Sequence, residues 1–89
     1  MALMQIYGAV IVEQGITFAI VSVRQSSTLY TTRLVQTRQE LSQFFPNMPI
    51  ILMSQDNNGI PHYYGRKDIV AFLKTIRVDQ IPWKIYHIY

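Results

Sequence analysis

The chain has no cysteine among its 89 residues. That excludes disulfides, thiolate metal ligands and cysteine nucleophiles, and it suits a reducing compartment. Charge is scarce too: 15% of residues are charged and 49% are apolar, the reverse of a disordered chain. One folded domain spanning 1–89 is expected, burying roughly 60–65% of the surface of the unfolded chain. With no disulfide to contribute, its stability must come from packing. Long apolar runs are also missing. The longest nearly apolar stretch, Ile6 to Val12, is far below the roughly 18 residues of a membrane span. No basic n-region or small-residue cleavage site opens the chain. These features predict a soluble, unexported, cytoplasmic protein that does not enter membranes.

Eight basic residues against five acidic ones give a formal charge of +3. The signs are mixed along the chain, and no run of cations exceeds Arg66-Lys67. A solvated basic face explains this better than a nucleic-acid or anionic-membrane footprint. The two histidines, His62 and His87, lie 25 residues apart without zinc-ligand spacing, so each reads as a polar residue on a strand edge. Asp56-Asn57-Asn58-Gly59 has the composition of a calcium loop but lacks its alternating ligands and bidentate glutamate, and a turn accounts for it. Phosphate-binding glycine loops and a nucleophile elbow are absent. No catalytic residue and no cofactor is expected.

What is present is a strong pattern of elements. Residues 5–12 and 16–23 are two β-rich runs around Glu13-Gln14-Gly15, a hairpin signal. Both are apolar at most positions, which predicts a central hairpin covered on both faces. Gly8 marks a bulge or a close backbone approach. Over 29–35, Tyr30, Thr31, Thr32 and Val35 favour a third strand. Thr37-Arg38-Gln39-Glu40 then has the form of a capping box opening a helix over 38–45. In the alternative, a helix begins near Thr28 and Leu34, Leu41 and Phe44 or Phe45 form one stripe. Residues 49–55 read as a buried strand, Asn58-Gly59 as a tight turn, and 60–64 as an edge strand because of Pro61. Ile69, Phe72, Leu73 and Ile76 give one apolar face to a helix over 66–76. A last strand, 84–89, alternates Trp83, Ile85, His87 and Tyr89 with Lys84, Tyr86 and Ile88. The expected architecture is α+β, a mixed sheet with two helices in the order ββ(β)αββαβ.

With Glu40 early in the first helix and Asp56 at the end of the next strand, this order resembles a shortened ribonuclease-H-like pattern. In that family, carboxylates at those places help hold divalent metal. The resemblance makes Glu40 and Asp56 remote metal candidates, although the family's aspartate on the first strand has no counterpart among Gln5 to Val12. Residues 46–76 resemble the closing strand, strand and helix of thioredoxin-like domains, with Met48-Pro49 where that family often carries a cis proline. The redox motif is missing. Tyr7-Gly8-Ala9-Val10, Gly15-Ile16-Thr17-Phe18-Ala19, Gln55-Asp56 and Tyr63 to Ile69 are similar to small bacterial proteins without an assigned function, a likeness that implies no activity.

The leading expectation is a non-enzymatic interaction module, self-associating as a dimer or holding a protein partner. A very apolar hairpin, an aromatic final strand and only two helices leave apolar surface that one small monomer does not cover. The alternative is a small-ligand or nucleic-acid site in the loop 55–67, where Asp56, His62, Tyr64, Arg66 and Lys67 gather beside a helix N-terminus.

Overall fold

A computed structural model describes residues 4–25 and 31–88. Its elements are β1 (Met4–Glu13), β2 (Ile16–Ser22), α1 (Thr31–Leu41), β3 (Ile50–Gln55), β4 (Pro61–Tyr64), α2 (Lys67–Leu73), a 3-10 turn (Val78–Gln80) and β5 (Lys84–Ile88). The strands form one mixed sheet in the order β4-β3-β2-β1-β5. Only β2 and β3 run parallel, joined through α1; the other neighbours are antiparallel. This is the expected α+β class.

The β1–β2 hairpin closes through Gln14 and Gly15, with φ of 52° and 77°. Two successive positive φ angles match the twist of the flanking strands, and glycine adopts one without a Cβ penalty. Gly8 does mark a close approach: a Cβ there would lie 2.7 Å from the carbonyl oxygen of Ile20 on β2.

Two hydrophobic layers sandwich the sheet. On one face Ala9, Phe18, Ile20, Ile51 and Met53 meet Ile69 and Leu73 of α2 and Ile81. On the other, Ile6, Ala19, Val21, Ile50 and Leu52 meet Leu41 of α1 and Phe45. Since both faces of β3 are covered, Ile50 to Ser54 are all buried, and the strand is a continuous apolar run rather than an alternating one. The aromatic residues near the C-terminus divide between the layers. Tyr86 meets Phe45 edge-on at 5.4 Å on the α1 side, and Trp83 stacks on Tyr7 on the α2 side.

The segment 31–35 is helix, not the expected third strand; residues 29 and 30 lie outside the described residues. Thr31, Thr32, Arg33 and Val35 point to solvent, where unfavourable helix propensity costs at most about 0.7 kcal/mol per residue. Leu41 is buried on the sheet and Leu34 packs partly buried beside it; fully burying a leucine is worth roughly 1.5–3 kcal/mol. The stripe therefore outweighs the β-branched residues. Thr37 consequently sits mid-helix and cannot cap it, and Glu40 lies in the last turn of α1 rather than the first. The Met48–Pro49 bond is not cis.

The hairpin is central, as expected, but coverage on both faces holds for β2 and not for all of β1. Val10 and Val12 are 42% and 67% exposed, because α1 lies over the Ile6–Val21 half of the sheet and leaves the hairpin end bare.

Candidate functional site

The loop 55–67 is built around one carboxylate. Asp56 follows the last residue of β3, and its backbone closes the turn: its carbonyl accepts from the Gly59 N–H at 2.9 Å and its N–H donates to the Ile60 carbonyl at 3.0 Å. Asp56 Oδ1 accepts from the N–H groups of Asn58 (2.9 Å) and Ile60 (3.0 Å), and Oδ2 lies 3.1 Å from His62 Nε2. Gly59 takes the positive φ of the turn, 77°, while Asn58 does not. The hydrogen bond with His62, followed by those from the Ile60 and Asn58 backbone, holds the Asp56 carboxyl below the usual carboxylate range. Both carboxylate oxygens are thus engaged in shaping the hairpin.

The other expected residues lie elsewhere. Tyr64, at the far end of β4, packs into the α1-side core. Arg66 pairs through Nε with Asp68 Oδ1 at 2.9 Å, both half-exposed, a surface pair that contributes little. Lys67 is exposed and makes no ion pair among the described residues. Asp56 and His62 thus form one group at the turn, and Arg66 and Lys67 stand at the opposite end of β4. With seven residues, α2 has no side-chain cap at its start.

Glu40 lines a groove of about 370 Å³ with Gln5, Ile6 and Ser22. It therefore sits over β1 and β2, while Asp56 is bound into the β3–β4 turn. Among the described residues no group of three or more His, Cys, Asp or Glu side chains could hold a metal ion. No helix among them is long and apolar enough to cross a membrane.

Two surfaces stand out: apolar surface on the hairpin and final strand, which the sequence led one to expect without its location, and a groove that it did not indicate. Of the seven large apolar side chains left exposed among the described residues, Tyr7, Val10, Val12 and Ile85 all lie on β1 or β5. Moreover β5 pairs only with Met4 to Gly8, so the outer edge of β1 from Ala9 to Glu13 has no strand beside it among the described residues. The second surface is a groove along the β4 edge, lined by Leu34 and Arg38 of α1 and by Lys67 and Lys74 on the α2 side. Its sequence signal was the spacing Leu34, Arg38, Leu41, which places these residues on adjoining faces once 31–41 is read as helix.

Comparison with family models, curated proteins and solved structures finds no match to this chain.

Proposed function

We propose that this chain is a non-enzymatic interaction module that associates with a second copy of itself through the open half of β1. The observation that carries the reading is the five-residue overhang of β1 beyond β5, flanked by exposed Val10 and Val12. An unpaired strand edge presents free N–H and C=O groups, and apolar side chains beside it favour strand addition.

A second copy fits this edge on two grounds. Antiparallel pairing about a two-fold axis at Ile11 sets Val10 opposite Val12 of the other copy, twice over, on one face. The only ionised residues on β1 and β5 are Glu13 and Lys84, of opposite sign. The chain's net positive charge is therefore not concentrated where the copies would meet. The product is a ten-stranded sheet running through both copies. So small a contact makes a transient dimer, of about micromolar affinity. Molar mass measured over a concentration series tests the proposal.

A further inference from the structure

The edge of the sheet opposite β1 is of another kind. β4 pairs with β3 alone, so its outward N–H and C=O groups have no strand beside them among the described residues. Helices overhang it from both faces. Leu34 and Arg38 descend from α1, and Lys67, Val70 and Lys74 rise from the α2 side, enclosing a groove of about 510 Å³ with Tyr63 and Tyr64 at its floor.

Three cations line this groove and no acidic residue does. Arg38, Lys67 and Lys74 have no side-chain hydrogen bond or ion pair among the described residues, whereas Arg66 and Arg77 are paired with Asp68 and Asp79. The groove thus combines an open strand edge with an uncompensated positive field on both sides.

The chemistry of the occupant follows. The tyrosines do not offer free rings for stacking bases. Tyr63 packs against the α2-side core with its hydroxyl buried and without a hydrogen-bond partner among the described residues, and Tyr64 packs into the α1-side core. Burial also raises the Tyr63 pKa above its usual value, so the ring stays neutral. Single-stranded nucleic acid would need those faces. An extended peptide needs the strand edge instead, taking main-chain hydrogen bonds from β4 while alternate side chains point to the two helices. Each side supplies cationic and apolar partners: Arg38 with Leu34, and Lys67 and Lys74 with Val70.

From this we propose that the β4 edge captures an acidic, extended segment of a partner protein by strand addition. The site is on the opposite margin from the self-association edge and does not depend on it.

The test uses a labelled peptide of two Glu-Glu-Val-Val repeats, which places both residue types on both faces of a strand, beside an oligothymidylate of similar length. Fluorescence anisotropy should detect peptide binding that weakens as salt rises. The double variant Lys67→Glu/Lys74→Glu, altered at two exposed positions, should weaken it at least tenfold, and Lys74→Ala by severalfold. Amide exchange at Tyr63, whose N–H faces away from β3 in this register, should slow on binding. Tighter binding of the oligonucleotide, absence of peptide binding, or peptide binding without slower exchange in β4 would each overturn the proposal.

Discussion

Tyr7 of β1 and Trp83, just before β5, stack with ring centroids 5.1 Å apart and planes 10° from parallel. Trp83 also donates from Nε1 to the Val78 carbonyl at 3.0 Å. The indole is thus held on the α2 side of the sheet, and the chain joins the sheet only at Lys84, opposite Gly8. This aromatic pair thus lies just where β5 begins, beside the part of β1 that is left open.

The stack should be measurable as a coupling energy. A double-mutant cycle of Tyr7→Ala and Trp83→Ala should return about 0.5–1.5 kcal/mol, the range of aromatic pairs in contact. Chemical denaturation provides the readout, and additive effects would mean the rings do not support each other.

Gly65 should resist substitution more than any turn glycine. Its φ is 154°, and a Cβ there would approach Ile51 Cδ1 to 2.5 Å and the Ile50 carbonyl oxygen to 3.2 Å. Gly65→Ala combines backbone strain with overpacking against a buried strand, and a loss of roughly 2–4 kcal/mol is expected. An unchanged denaturation midpoint would contradict this.

The Asp56 turn gives a pH signature. Because the folded carboxyl is held below its usual value of 3.8, its stabilising effect is complete above that value and is lost as the pH falls through the lower folded pKa. Asp56→Ala should therefore be less stable than the parent protein at neutral pH, with the gap closing below about pH 3.8. A gap that stays constant to pH 2 would assign the effect to something other than the charge.

Much of this fold could be read from residue patterns that are local. Gln14-Gly15 between two β-rich runs, Pro61 at an edge, and Ile69 to Ile76 on one helical face each state their structure in a few residues. The segment 31–35 did not, because its β-branched residues face solvent and the burial of Leu34 and Leu41, a tertiary effect, decides the outcome. The same misreading hid the basic groove, since Arg38 joins Lys67 and Lys74 only when α1 crosses toward β4. Asp56 and His62 were legible as neighbours in a hairpin. That they would satisfy each other instead of a ligand depends on distances no sequence states. The open half of β1 was equally hidden, because strand lengths were visible and their register was not.

The self-association claim meets its most direct test in sedimentation velocity of the parent protein and of Val12→Lys between about 1 and 300 μM, bracketing the affinity expected of a small interface. The account predicts that the parent shifts from monomer to dimer over this range while Val12→Lys, altered at a side chain 67% exposed, stays folded and monomeric. A parent protein that remains monomeric throughout, or a Val12→Lys variant that dimerises as well as the parent, would contradict it.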